Sequence, residues 1–226
     1  MNNKYCCLIP VKKNSSRLKN KNFLILDKKS LLQRAVDKAK KSGVFDKIYI
    51  SSDFKNLKKL EKENVEFLER PIELSKDPAT ITDVMLNACN LKKLKDKKYK
   101  LMIVLSVTNP FFSKDDIKNS ITYFNKTNFE GLLSISKSNS PPYNAWLTKN
   151  KQLIPAFKNS KYKYVKSTEC PTTYYSNGAI RIVKIDNFLK KKNFHKLKLT
   201  FFEMENEKSL DIDNKFEYEL AKKIIK

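Results

Sequence analysis

An apolar run from Tyr5 to Ile9 stops at Pro10, and no helical pattern begins until Ser30. A short strand, a long polar connection and then an amphipathic helix make up the usual opening of an α/β sheet. Such sheets bind ligands at the carboxyl ends of their strands, so the connection lies where a ligand would sit. It carries Lys12, Lys13, Arg17, Lys19 and Lys21 interleaved with Asn14, Ser15, Ser16, Asn20 and Asn22. Cations mixed with hydrogen-bond donors suit a polyphosphate. The plain alternative is a solvated loop in a chain that is lysine-rich everywhere.

The rest of the sequence repeats the strand-and-helix theme. Leu31, Leu32, Ala35, Val36 and Ala39 have helical spacing, with Ser42-Gly43 as the stop. A strand over 46–53 ends in Ser51, Ser52 and Asp53, a helix is expected over about 54–63, and Val65–Leu68 reads as a third strand. Thr80 or Thr82 can cap the following helix, whose apolar side is Ile81, Val84, Met85, Ala88 and Leu91. Lys92–Lys100 is a charged connector, and Tyr99–Leu105 is the best central-strand candidate. Ser113 opens a helix in which Asp116 holds the capping-box position, which explains Asp115 and Asp116 without a metal. Between 138 and 173 helical periodicity fades and aromatics gather: Tyr143, Trp146, Phe157, Tyr162 and Tyr164. This stretch is expected to be an inserted arm that packs on a second subunit, or else a satellite core within one chain. Tyr174–Ile180 and Leu199–Met204 return the chain to the sheet ahead of a terminal helix.

Composition removes several functions. The 226 residues suffice for one domain with a substantial core. The net charge of +23 first suggests nucleic acid, but the excess is lysine spread along the whole chain. Arginine occurs only at positions 17, 34, 70 and 181, too few for specific base readout. Cys6, Cys7, Cys89 and Cys170 form no C-x-x-C, and His195 is the sole histidine, so zinc is not expected. Neither G-x-x-x-x-G-K-S/T nor G-x-G-x-x-G is present, which argues against a P-loop ATPase and a dinucleotide dehydrogenase. With no signal-like segment before the first strand and no membrane-length apolar run, a cytoplasmic protein without membrane insertion is expected.

The sharpest chemical motif is Leu210-Asp-Ile-Asp-Asn214. In extended backbone Asp211 and Asp213 point to one side while Ile212 turns inward. Two carboxylates on one side can hold Mg²⁺ that keeps phosphate and water ligands; alternatively one of them caps the terminal helix.

Four patches together resemble the CMP-sugar synthetases, the cytidylyltransferases for acylneuraminate and related keto-deoxy sugar acids, whose fold is of the nucleotide-diphospho-sugar transferase kind. The opening loop is similar to I-P-A-R-x-G-S-K-R-I-P-x-K-N: Ile9, Pro10, Ser15, Arg17, Lys21 and Asn22 match, and Lys12 stands in place of arginine. Ser16 replaces a lysine and Lys19 a proline. The stretch Arg70-Pro-Ile-Glu-Leu-Ser-Lys-Asp-Pro-Ala79 is similar to R-P-x-E-L-A-x-D-x-A, and Tyr174–Ile180 to Y-x-x-N-G-A-I. The acidic segment matches the family's D-I-D.

The resemblance implies a single domain over 1–226, α/β and three-layered, with a Rossmann-like, mostly parallel mixed sheet and 138–173 as a small dimerisation arm. It implies CTP and a sugar acid as substrates, Mg²⁺ held by Asp211 and Asp213, and a homodimer. Catalysis would fall to Lys12, Arg17, Lys21 and Asp211. Nucleotide contacts would come from Lys12, Asn14, Ser15, Ser16, Arg17, Lys21, Asn22, Arg70 and Thr80, and sugar contacts from Ser106, Thr108, Tyr175 and Asn177. Ser106, Val107, Asn109 and Phe112 depart from the family's Gln, Pro, Ser and Arg, and Tyr175 stands where some sialate-activating relatives have arginine. From these departures an acceptor pocket made more apolar by Phe112 and Tyr175 is expected, with Lys137, Lys163 or Lys166 meeting the carboxylate. A nine-carbon, nonulosonic acid is the first choice and an eight-carbon acid the second; a catalytically weak nucleotide-binding homologue is the other class.

Overall fold

The computed structural model describes residues 4–15 and 17–225. Ser16 lies outside them. The strand β1 (Tyr5–Val11) is buried on both faces because its neighbours flank it and helices cover it above and below. Its side chains alternate: Tyr5, Cys7, Ile9 and Val11 enter one hydrophobic core, Cys6 and Leu8 the other. The cysteines act as small core residues, all four thiols are free, and burial pushes the Cys6 and Cys7 thiols well up.

After a small hairpin, β2 (Ile25–Leu26) with β3 (Lys29–Ser30), the helix α1 (Leu31–Ser42) begins at Ser30, whose side chain accepts from the Gln33 amide. It ends on Gly43 at φ +65°, a conformation that glycine adopts without penalty. The strand β4 (Lys47–Ser52) pairs parallel with β1, and β5 (Val65–Glu69) parallel with β4. The expected helix over 54–63 is a 3₁₀ segment, Lys55–Leu60, with only Leu57 buried. Leu57 and Leu60 are three apart, a spacing that serves a 3₁₀ turn as well as an α-helix.

A capping box on Thr80 and Asp83 opens α2 (Ile81–Asn90), which is followed by the single turn α3 (Lys92–Lys95) and β6 (Leu101–Leu105), buried throughout. The Ser113–Asp116 box opens α4 (Lys114–Asn125), leading to β7 (Gly131–Lys137). The arm then forms a hairpin, β8 (Trp146–Lys149) with β9 (Gln152–Pro155), turning on Asn150 and Lys151 at φ 49° and 63°. Finally β10 (Tyr174–Lys184), α5 (Ile185–Lys191), β11 (Leu199–Glu203) and α6 (Lys215–Ile224) close the fold.

The main sheet has seven strands in the order β11-β7-β10-β6-β1-β4-β5, and only β10 is antiparallel to its neighbours. Helices α1, α4 and α6 contribute to the core on one face, α2 and α5 to the core on the other. This is the three-layer α/β arrangement that the order of segments implied. It places the β1 loop, the ends of β4 and β6 and the acidic segment at one rim.

Candidate active site

The loop after β1 is pinned before any ligand enters. Lys13 donates its amide to Asp53 Oδ1 at 3.0 Å, and the Asn22 amide nitrogen donates to the Lys12 carbonyl at 2.9 Å. A cleft of about 230 Å³ results, lined by Lys12, Ser15, Lys21, Asn22, Arg70, Thr80 and Thr108 among others. Among the described residues the Ser15 hydroxyl, buried there, has no hydrogen-bond partner. Asn14 is exposed and Arg17 lies outside the cleft wall.

Arg70 is buried at the edge of the same cleft, with 4% exposure. Its Nη2 donates to the Val11 carbonyl at 2.7 Å and its Nε to Ser75 Oγ at 3.1 Å. Its carboxylate neighbour is Asp53, 3.7 Å away, while Glu69 pairs with Lys55. Burial draws the guanidinium pKa down and Asp53 opposes the shift. Arg70 therefore clamps β1 to the segment after β5 and presents only its remaining edge to the cleft. Thr80 is likewise part of a cap, donating from Oγ1 to Asp83 at 2.7 Å.

Across 192 residues of sequence, Lys21 Nζ meets Asp213 Oδ1 at 2.5 Å, and Arg17 Nη1 meets Asp213 Oδ2 at 2.5 Å. Both oxygens of Asp213 thus face loop cations. Asp211 differs: its Oδ1 is buried with no partner. Burial raises its pKa, the neighbouring Thr108 side chain lowers it, and Asp213 raises it again. Ile212 between them is fully buried, as the alternation required, and its amide donates to the Thr108 carbonyl. The terminal helix is capped by Asn214 with Glu217, which leaves both aspartates free of capping duty. Among the described residues no cluster of three or more His, Cys, Asp or Glu side chains could enclose a metal by itself.

On the far side of Asp211 lies a second cavity of about 530 Å³, reached by Tyr175, Asn177, Ser209, Leu210 and Leu220. Asn177, expected at the sugar, is spent on the fold. Its Oδ1 accepts from Ser134 Oγ at 2.5 Å and from the Ala179 amide, and its Nδ2 donates to Ser209. Ser106 and Thr108 bond to each other through their hydroxyls at 3.0 Å. Tyr175 is 47% exposed at the mouth of the cavity. Phe112 does not line it: the ring is 1% exposed in the α1–α4 core, beneath Lys38 Nζ at 4.6 Å. The expectation that Phe112 makes the acceptor pocket apolar is therefore corrected; the turn after β6 directs it inward. His195 is exposed beside Phe194, as a solvated histidine would be.

The sequence profile of the family described as Cytidylyltransferase matches residues 6–226. This chain belongs to that family. The N-acylneuraminate cytidylyltransferase of Escherichia coli is 28% identical over 223 residues, 98% of this chain and 52% of the relative. The pseudaminic acid cytidylyltransferase of Campylobacter jejuni is 25% identical over 226 residues, covering 99% and 97%. The chain thus spans about half the length of the first of these relatives and nearly all of the second. Among solved structures, a CMP:2-keto-3-deoxy-manno-octonic acid synthetase complexed with CTP superposes with a TM-score of 0.71 at 12% identity, over 98% of each chain. The 2-C-methyl-D-erythritol 4-phosphate cytidylyltransferase of Francisella tularensis gives 0.72 at 12% identity, over 98% of this chain and 99% of that one. At those identities the likeness is one of fold.

Sequence reasoning missed two residues near this site. Asp53 receives the Lys13 amide and faces Arg70, so it sets the loop's path. The Ser-Ser-Asp turn at the end of β4 was its signal. Arg181 lies on β10 beside Gly178 and feels the charge of Asp211. A cation within Ala-Ile-Arg-Ile-Val, an otherwise apolar strand, was the sign of it.

Proposed function

We propose that this chain transfers CMP from CTP to the anomeric hydroxyl of a nonulosonic, sialic-acid-like sugar acid and releases pyrophosphate. The observation that carries the reading is the meeting of Lys21 and Arg17 with Asp213, which joins the basic loop to the acidic segment at one end of the sheet. The named relatives give the substrate class.

In this reading Lys12, Lys21, Ser15 and Arg17 bind the triphosphate, and the partnerless Ser15 hydroxyl finds its acceptor there. Arg17 and Lys21 pass from Asp213 to phosphate oxygens as CTP enters. The sugar hydroxyl oxygen forms a bond to the α-phosphorus while the bond from that phosphorus to the bridging oxygen of pyrophosphate breaks. The hydroxyl proton leaves to solvent, and the lysines hold the departing charge. No covalent protein intermediate is required.

A divalent cation fits the residues present. Among the described residues Asp211 offers a buried oxygen with no partner, and once Arg17 and Lys21 have left Asp213 for phosphate the two carboxylates suit an ion that keeps water and phosphate ligands. Mg²⁺ held by Asp211 and Asp213 would supply positive charge to the α-phosphoryl oxygens.

The arm supports a homodimer. Trp146, Leu147, Leu153, Phe157 and Tyr164 are each at least 45% exposed, more apolar surface than a hairpin leaves open when nothing covers it. A cytoplasmic site of action fits substrates such as CTP, and no helix of the described residues is long and apolar enough to cross a membrane.

Incubation with CTP, Mg²⁺ and a panel of nine- and eight-carbon keto-deoxy acids, with pyrophosphate release and the mass of the CMP-linked product as readouts, tests the reading. A nine-carbon product is expected, and preference for the eight-carbon acid would move the substrate assignment. A second reading, a homologue that binds nucleotide without turnover, is favoured by the mutual bonding of Ser106 and Thr108. CTP binding without product from any acid would establish it.

A further inference from the structure

The two aspartates of the acidic segment are held in different ways. Asp213 has Arg17 and Lys21 on its oxygens, whereas Asp211 Oδ1 has no partner among the described residues. The aim of the Asp211 carboxylate is therefore set chiefly by the backbone that carries it. One turn, the segment that follows β6, holds that backbone on both sides. The Ile212 amide donates to the Thr108 carbonyl at 2.9 Å, and the Leu210 carbonyl accepts from Asn109 Nδ2 at 3.4 Å. The same nitrogen donates to the Asn177 carbonyl at 2.9 Å.

An asparagine suits this position chemically. Its amide nitrogen carries two N–H groups, and two carbonyls are there to receive them. They also fix which way the amide is turned, because an oxygen in the nitrogen's place would be repelled by both. Asn109 Oδ1 is left buried with no partner among the described residues, a cost that this orientation entails. The serine that the family's pattern has here carries a single hydroxyl proton and could serve only one of the two carbonyls. The turn is itself anchored. The Ser106 amide donates to the Ala179 carbonyl at 3.0 Å, Val107 and Phe112 are buried in the core, and Lys38 Nζ on α1 donates to the Pro110 carbonyl.

We infer that Asn109 is a positioning residue for Asp211. The inference rests on the proposed function, in which Asp211 holds a divalent cation, and adds a residue that acts through Asp211: at 1% exposure Asn109 reaches no ligand itself. The pairing of β10 with β7 shifts register between Ser176 and Arg181, so Asn177 lies in irregular backbone, and Leu210–Asn214 runs up to α6 outside any strand. Both irregular segments line the 530 Å³ cavity. Asn109 ties one to the other and fixes them to a rigid turn, which is how a carboxylate without a partner of its own keeps its direction.

The test compares wild type with Asn109→Leu, which nearly keeps the shape and removes both donors, and with Asn109→Ser, which keeps one. Ile121→Val, a trimmed core residue on α4, serves as the stability control. The first readout is the factor by which Mn²⁺ tightens CTP binding, measured by calorimetry without acceptor; the second is hydrogen exchange of the Ile212 amide, by NMR. In Asn109→Leu the tightening factor is expected to fall by about tenfold, while the Kd for CTP without the ion moves by less than about twofold. Exchange at Ile212 should accelerate, and Asn109→Ser should lie between. Ile121→Val should lose stability and keep the wild-type values of both readouts. An asparagine that only supports the fold would lower Tm with the tightening factor unchanged. That result, or an equal loss of tightening in Ile121→Val, overturns the inference. If Mn²⁺ does not tighten CTP binding to the wild type, the proposed role of the ion fails separately and exchange decides: faster exchange at Ile212 in Asn109→Leu than in Ile121→Val supports the inference, and equal exchange defeats it.

Discussion

The proposed nucleotide side and the proposed acceptor side of this molecule are finished to different degrees. Around the cleft after β1, the chain has already used its polar groups on itself: Asp53 holds the Lys13 amide, Arg70 clamps Val11 and Ser75, and Asp213 holds Arg17 and Lys21. On the other side the cavity is larger, Tyr175 stands open at its mouth, and the β8–β9 arm exposes Trp146, Leu147 and Leu153. A side organised by internal bonds needs only small rearrangements to take its ligand. A side with open apolar groups is completed by something else, in the proposed reading the acceptor and a second copy of the chain. The nucleotide half is accordingly expected to bind alone and the acceptor half to depend on assembly.

The largest effect that sharpens this contrast belongs to the acidic pair. Asp211→Asn and Asp213→Asn should each lower turnover by at least about tenfold with an unchanged circular dichroism spectrum, because charge is lost and shape kept. Full activity of both at limiting Mg²⁺ would remove the ion from the proposal.

Next comes the arm. Leu153→Asp places a charge on the most exposed apolar side chain of the β8–β9 hairpin and should weaken association by on the order of tenfold, read by sedimentation, while CTP binding stays intact. A variant that loses CTP affinity together with association would break the division between the halves.

A smaller effect is expected at Gly178, which holds φ +73° with only ordinary contacts around the place a methyl group would take, Arg181 Nη2 at 3.8 Å and Asn109 Oδ1 at 4.0 Å. Gly178→Ala should therefore cost the backbone term alone, about 1–2 kcal/mol, or roughly 2–8 °C in Tm for a chain of this size.

The smallest is a pH effect on the ligand-free protein. Asp211 has its folded-state pKa raised above the ordinary carboxylate value, mainly by burial. The native state then holds the proton more tightly than the unfolded chain, and stability falls as pH rises from that ordinary value through the folded one. Asp211→Asn should have the higher Tm at pH 7, with the gap closing below pH about 4. A lower Tm for the variant at pH 7 would mean that the ionised carboxylate is stabilising.

Much of the layered fold was legible because burial imposes period on sequence. The alternation of Tyr5 to Ile9, the spacing in α1 and the caps at Thr80 and Ser113 all reappear as read. The 54–63 segment was not, since two leucines three apart fit more than one helical form. Individual site residues were harder. Position in a motif does not reveal whether a polar side chain faces a ligand or its own backbone, and Asn177 and Arg70 bond largely to the chain itself. Phe112 was misread because an irregular turn has no period from which direction can be taken.

The contact between Lys21 and Asp213, 192 residues apart, also has a meaning for biosynthesis. A ribosome emits the basic loop well before its carboxylate partner. Until residue 213 has emerged and docked, Lys21 lacks its carboxylate partner, and the loop is held by Asp53 and the Asn22–Lys12 bond alone. In the proposed reading, a chain stopped before residue 213 is expected to gain less stability from CTP than one that has passed it.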